Sequence, residues 1–453
     1  MPWHSVATLL FVAVLSAASR AAEDPRNAPA ASEASIAVRP KRVYANALVA
    51  LTLKTHEPLS LSARISWAAS RGLLHWDDLP EVYWRAPADP GSARVAVRAE
   101  TRDRTISAEL EIEVLAPSTE GMVWIPPGAF IRGDYDGTAD PYESKTLQND
   151  NDEPVHEACL DGYWIDKHPV TNEEFARFLD EARAEGLVRP EPVAAMGEFE
   201  GEWVPFYYFQ PYSQLIIDFY GTRNARRPYF LFLISWDGER FRVRPGFERH
   251  PVADVTWFGA TAYASYYGKR LPSEAQWEKA ARGTDGRRYP WGENVPSAYH
   301  APQDEDLSLA PVGSYSPLGD SPYGVADTLA GGFEWTGDWF NPDSYRDYFG
   351  PAPHRNPRGT FWGRSHSIRG FPTDLSPNAK TYRIPTPLSI RYEWILDHML
   401  GDCFGNRTST FRTVVAPGDL LGSATQGRFP EPVSTAEAAR AAAQNASPMP
   451  PSR

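Results

Sequence analysis

The sequence predicts an α+β protein in two folded parts: a small all-β sandwich followed by a larger unit with little regular secondary structure. Three observations predict it. From about Ile36 to Ala116, apolar and polar side chains alternate with a period of two, broken about every 8–12 positions by turn residues. From Met122 to about Pro417 that alternation gives way to loop-rich sequence with three well-marked helix starts. The 453 residues include 15 Trp, 21 Tyr and 21 Phe beside 42 Pro and 33 Gly, so packed aromatics in a loop-rich backbone are expected.

Composition removes several classes. Hydrophobic residues at 42% and charged residues at 23% describe neither a disordered chain nor a polytopic membrane protein. A formal charge of −13 argues against a nucleic-acid binder, which needs a basic face. Two cysteines exclude a disulfide-dense miniprotein and any four-thiolate metal cluster.

The elements follow in order. Ala7 to Ala18 is an apolar run too short to span a bilayer, and Ser19-Arg20-Ala21 places small residues before a cleavage after Ala21. Residues 1–21 therefore read as a signal peptide, and the protein as exported, periplasmic or secreted. No later stretch approaches 18 apolar residues, so the chain is not expected to span a membrane. Residues 22–35 form a polar, Ala/Pro-rich linker. The sandwich at 36–116 has candidate strands at 47–53, 61–67, 81–84, 94–100 and 106–114. Its Tyr83-Trp-Arg-Ala-Pro87 segment resembles bacterial immunoglobulin-like modules, which implies a spacer or adhesion unit. In the larger unit, Thr171-Asn-Glu-Glu174 and Ser273-Glu-Ala-Gln276 are capping boxes, Thr256 caps a further helix, and Gly283 supplies a stop. Asp237-Gly238 predicts a hairpin within 231–243. The dense aromatics of 199–220 suit either a contact surface or a second buried layer. After residue 417 the composition predicts a disordered tail to 453.

Several motifs in sequence carry a family resemblance. They are Met122-Val-Trp-Ile-Pro-Pro-Gly-Ala-Phe130, Asp152-Glu-Pro-Val-His156 and Tyr163-Trp-Ile-Asp-Lys-His-Pro-Val-Thr-Asn172. Then come His250-Pro-Val252, Val255-Thr-Trp257, the block from Lys269 through Arg270-Leu-Pro-Ser-Glu274 to Gly283, Pro290-Trp-Gly292 and Gly331-Gly-Phe-Glu-Trp335. In this order they resemble the sulfatase-modifying-factor superfamily, typified by the formylglycine-generating enzyme, across roughly residues 118–416. The resemblance implies a C-type-lectin-like fold with most motif tryptophans in its core. It also implies calcium, whose hard ion takes six to eight oxygens. One family site maps onto Asp327, Ala330, Gly332 and Glu334, with Asp327 in place of the usual Asn. A second maps onto Asp304 and Asp306, where Tyr299 stands in place of an Asn ligand.

The family's oxygen-activating cysteine pair, which binds copper, follows an Arg-Gly-Gly-Ser-like turn. Here the turn is Ile368-Arg-Gly-Phe371, and residues 372–380 contain no cysteine. Formylglycine-generating sulfatase maturation by that thiol route is therefore disfavoured. Cys159 and Cys403 lie near the two ends of the resembling unit, where such folds bring their termini together. A disulfide, two free buried thiols, or a reactive or metal-binding pair are the alternatives. Branches of the superfamily are described as non-haem iron enzymes, and His354, His366 and Asp374 are candidates here for an iron or copper site. No P-loop, Gly-x-Ser-x-Gly elbow or His-Glu-x-x-His motif occurs. The leading expectation is an exported, calcium-stabilised binding or scaffold protein for a protein, peptide or glycan. The alternative is a periplasmic iron- or copper-dependent oxidative tailoring enzyme using His and carboxylate ligands.

Overall fold

A computed structural model describes residues 34–133, 154–209, 233–292, 309–345, 354–359, 366–370, 392–393 and 409–416, apart from positions 61, 76, 200, 254, 288, 331 and 342. The export segment, most of the first linker and the predicted tail fall outside the described residues.

The first unit contains β1 (Ala34–Arg39), β2 (Val43–Tyr44), β3 (Leu48–Thr55), β4 (Arg64–Ala69), β5 (Leu73–His75), β6 (Glu81–Arg85), β7 (Gly91–Glu100) and β8 (Thr105–Leu115). They form two four-stranded sheets, ordered β1-β3-β6-β5 and β2-β8-β7-β4. Alternation sets the register: Ala93, Val95, Val97 and Ala99 of β7 point inward while Arg94 and Arg98 stay outside. Val49, Leu51, Val82 and Trp84 of one sheet share a core with Trp67, Val95, Val97 and Ile112 of the other. Trp84 is fully buried, and its indole N–H donates to the Arg71 carbonyl at 3.0 Å, so no polar atom of that ring is stranded.

The second unit starts with β9 (Met122–Ile125), β10 (Gly128–Arg132), β11 (His156–Leu160) and β12 (Tyr163–Asp166), followed by α1 (Asn172–Ala184). A hairpin sheet of β13 (Val188–Pro190), β14 (Ala194–Phe199) and β15 (Glu202–Tyr208) comes next. Then β16 (Ile234–Trp236) and β17 (Phe241–Val243) close the predicted Asp-Gly hairpin, in which the Asp237 carboxylate accepts the Glu239 and Arg240 amides. Helices α2 (Trp257–Tyr266) and α3 (Glu274–Arg282) precede β18 (Phe333–Trp339), β19 (His354–Arg355), β20 (His366–Arg369), β21 (Tyr392–Glu393), β22 (Ser409–Thr410) and β23 (Val414–Val415). The order β23-β12-β9 joins the two ends of this unit in one sheet.

The three helices among the described residues start at the predicted caps. Thr171 and Ser273 form capping boxes with Glu174 and Gln276, and Thr256 accepts the Gly259 amide. Gly283 ends α3 with φ at 81°, a conformation a side chain would oppose. The apolar stripe of α1, Phe175, Phe178 and Leu179, packs with Tyr207, Tyr263 and Phe411 in the main aromatic core. Of the two alternatives for 199–220, the described part takes the buried layer: Phe206, Tyr207 and Tyr208 are buried, and Phe199 and Phe209 pack against the main core. Rings of that size gain more by leaving water than by lining a surface. Residues 210–220 of that stretch lie outside the described residues.

Gly259 of α2 lies against the backbone of Phe206, where an added Cβ would come within 2.3 Å of the carbonyl oxygen. Neither partner can swing aside, because the contact is backbone to backbone. Gly259→Ala is therefore expected to destabilise by about 1–3 kcal/mol, read by thermal or urea unfolding. An unchanged midpoint would overturn this close approach.

The two units touch away from the 117–121 connection. The Lys41 amide donates to Glu185 at 2.7 Å, and Arg42 meets Glu181 at 2.9 Å. The Tyr44 ring lies on Gly268, whose added Cβ would sit 2.4 Å from it.

Candidate functional site

The segment between α3 and β18, with the start of β18 itself, carries the residues of the first expected calcium site. Asp327 has φ at 62°, a left-handed position that Asp tolerates better than most residues. Its Oδ2 accepts the Gly313 amide at 2.7 Å and lies 3.1 Å from His168 Nδ1. Glu334 is fully buried on β18. Arg412 donates to it from both Nε and Nη2 at 2.6 Å, and Trp277 Nε1 donates at 2.8 Å. The remaining guanidinium donors of Arg412 reach the carbonyls of Asp166, Lys167 and Ala326. Burial would lower the Arg412 pKa, but Glu334 and the nearby acids Asp327 and Asp166 outweigh it and raise it.

The donors left over suit a hard cation. Among the described hydrogen bonds, Asp327 Oδ1 has no donor and Glu334 Oε1 has one, so both keep lone pairs. Thr328 Oγ1 is enclosed with no hydrogen-bond partner. A Cβ on Gly370 would sit 2.8 Å from the Gly332 carbonyl oxygen and 3.1 Å from that of Thr328, so only glycine leaves those carbonyls uncrowded. Against this, Arg412 already neutralises one of the two carboxylates. Asp304 and Asp306, the second expected site, lie outside the described residues.

The candidate transition-metal ligands fall on different sheets. His354 on β19 stands beside His156 of β11, with ring centroids 6.3 Å apart. Burial lowers the His156 pKa, and the Arg132 guanidinium adds to that against the Pro154 carbonyl, which pulls it up. His366 on β20 is buried between the indoles of Trp257 and Trp339, at centroid distances of 3.6 and 3.8 Å. Asp374 lies outside the described residues. Among the described residues no group of three or more His, Cys, Asp or Glu is placed to hold a metal ion. Cys159 is half-buried on β11 with no disulfide among the described residues, and Cys403 lies outside them.

Beneath these sites α3 is buried along its whole length despite carrying Glu274, Glu278, Lys279 and Arg282. Each charge is answered. Glu278 receives Arg282 and Arg369 at 2.8 Å, Tyr345 at 2.9 Å and the Gly133 amide at 2.9 Å. Burial alone would raise its pKa, but the Arg369, Arg282 and Arg132 guanidiniums hold it down at about 2. Lys279 donates to the carbonyls of Pro126 and Gly128, both at 2.8 Å.

A cleft of 690 Å³ opens beside the first turn of α3. Trp124, Asp161, Trp257, Arg270, Asp338 and Asn356 are among its walls. Asp338 is nine-tenths buried and accepts the Glu274 amide at 2.7 Å. Burial first, then the neighbouring Glu274 carboxylate, push its carboxyl above the usual range. The helix caps were legible in the sequence, whereas this cleft and the Arg412–Glu334 pair were missed. Arg412 was findable, because a fully buried glutamate requires a cation.

Comparison with known proteins identifies the chain. Residues 109–384 match the family described as the sulfatase-modifying factor enzyme 1-like domain. The formylglycine-generating enzyme of Streptomyces coelicolor is 34% identical over 273 residues, covering 56% of this chain and 78% of that protein. The hercynine oxygenase of Mycolicibacterium smegmatis is 32% identical, with 56% of this chain and 54% of that protein covered. A Chlamydia pneumoniae protein named serine/threonine-protein kinase pkn1 is 32% identical over 60% of this chain, but the chain covers only 36% of its length. With more than half its length in the family match and a relative covered over most of its own length, this chain belongs to the sulfatase-modifying-factor family.

Proposed function

We propose that this protein is an exported, calcium-stabilised binding member of its family, with a C-type-lectin-like unit raised on an immunoglobulin-like spacer. It would take a protein, peptide or glycan in the cleft between Trp124 and Asp338 without the family's thiol chemistry. The cleft carries this reading: it is large enough for a ligand of several rings and has fixed polar groups on opposing walls. The cysteine count supports it, since Cys159 is the only cysteine within residues 109–384 and stands on β11, far in sequence from the Arg369-Gly370 turn. Calcium would be held by Asp327, Glu334 and the carbonyls of Ala330 and Gly332, tying the β18 segment to Arg412 and the closing sheet.

Elemental analysis of the mature protein, purified without chelator or added metal, tests this reading. Calcium at about one or two per chain, with a thermal midpoint that falls on chelation, is the expected result. Iron or copper near one per chain would overturn it in favour of an oxidative tailoring enzyme. The relatives named formylglycine-generating enzyme and hercynine oxygenase favour that second reading. It would then be pursued by replacing His354 and His366.

A further inference from the structure

Trp124 is 38% exposed, and its pose is fixed. Its cross-strand partner Trp164 packs against it at 5.3 Å between ring centroids. Gly162 lies under the indole, where a Cβ would be 2.4 Å from Cζ2. The result is a flat apolar plate on the wall of the cleft.

The polar groups around it are exposed but hydrogen-bonded to one another. The Asp161 amide donates to Asn356 Oδ1 at 2.9 Å, Asn356 Nδ2 returns a bond to Asp161 Oδ2 at 2.8 Å, and Arg355 holds Asp161 Oδ1 at 2.7 Å. Asn356 has φ at 46°, and its amide is pinned to the Cys159 carbonyl at 2.7 Å. On another wall Arg270 is braced by Gln276 at 2.8 Å. Thr261 Oγ1, in the same lining, is enclosed with no hydrogen-bond partner. Asp161 and Asp338 stand with Arg270 and Arg358 in the lining, two formal charges of each sign, and Asp161 is already engaged by Arg355.

With charges of both signs in the lining, a strongly acidic or basic peptide would meet like charges as well as opposite ones. An apolar peptide would strip water from fixed polar groups without replacing it, at a cost of about 1–3 kcal/mol for each group left unpaired. A pyranose ring fits both features, offering a face of C–H groups to the indole and a rim of hydroxyls to planar donors and acceptors. We infer that the cleft is a saccharide-binding site, with Trp124 as the stacking platform and Asp161, Asn356 and Arg270 as hydroxyl partners. This rests on the binding reading above and names its ligand class.

The test titrates the full mature chain with cellotetraose, chitotetraose and maltotetraose by calorimetry. One of the three is expected to bind. Trp124→Ala should weaken it at least about tenfold while remaining folded at the titration temperature, and Trp124→Phe keeps most of the affinity. Failure of all three sugars to bind, or binding that Trp124→Ala leaves unchanged, overturns the saccharide assignment. A mixed peptide pool retained by the parent and lost in Trp124→Ala would sink the saccharide while leaving the binding reading standing. Stoichiometric iron or copper would remove the binding reading itself.

Discussion

Glu278→Gln will destabilise the protein by about 3–5 kcal/mol at neutral pH, and the penalty will shrink as the solution is made acidic. The side chain keeps its size but loses the charge that answers Arg282 and Arg369, both with side chains 2% exposed or less. Two guanidiniums are then left in a site closed to water. For a domain of this size that corresponds to a thermal midpoint lowered by roughly 6–20 °C. The pH dependence follows from the depressed pKa of about 2 against an ordinary value of 4.5. A carboxylate held down in the folded state contributes its full stabilisation above 4.5 and loses it as pH falls toward 2. Over that window the parent should lose about 3 kcal/mol that the glutamine variant does not have to lose. Urea unfolding of both proteins at pH 7 and pH 3 measures the gap directly. A gap that stays constant would mean Glu278 is not held ionised by its arginines.

Arg412→Met should cost a similar amount for a different reason. It removes a guanidinium that donates twice to Glu334 and braces three carbonyls, and it leaves Glu334 buried with Trp277 as its remaining donor among the described bonds. A loss of about 3–5 kcal/mol is expected by denaturant unfolding. Adding Glu334→Gln to the same chain should recover part of it, because the charge left behind causes most of the damage. If the single variant unfolds within about 1 kcal/mol of the parent, the pair is not what holds β18 to the closing strand. Added calcium offers a second readout. If calcium shares Glu334, a saturating concentration should stabilise the methionine variant more than the parent, since the vacated arginine no longer competes for that oxygen.

What the sequence disclosed and what it hid follow from the range of the interactions. The strands of the first unit were legible because alternation is a local property, and Val95 and Val97 announce their face within four residues. The helix starts were legible for the same reason: Thr171 and Ser273 bond to residues three positions on. The aromatic stretch before residue 210 was ambiguous because an aromatic has no local mark of whether a core or a ligand covers it. The cleft was invisible for a third reason. Trp124, Asp161 and Asn356 come together only through the β9–β12 pairing and the parallel β11–β19 pairing, which joins residues nearly two hundred positions apart. No spacing rule reaches that far.

The contact between Tyr44 and Gly268, with Lys41 and Arg42 on the end of α1, gives the two units a second point of attachment beyond the 117–121 connection. One tether is a swivel, and two are a bracket. Two units bracketed in this way cannot tumble independently, so the mouth of the cleft keeps one bearing relative to the first unit. A ligand fixed to a surface would then meet the cleft at a set angle, and its chance of productive encounter would depend on where the protein is planted. Gly268→Ala pushes a methyl group into the Tyr44 ring and would loosen that bracket, freeing the two units to move against each other without altering a residue of the cleft lining.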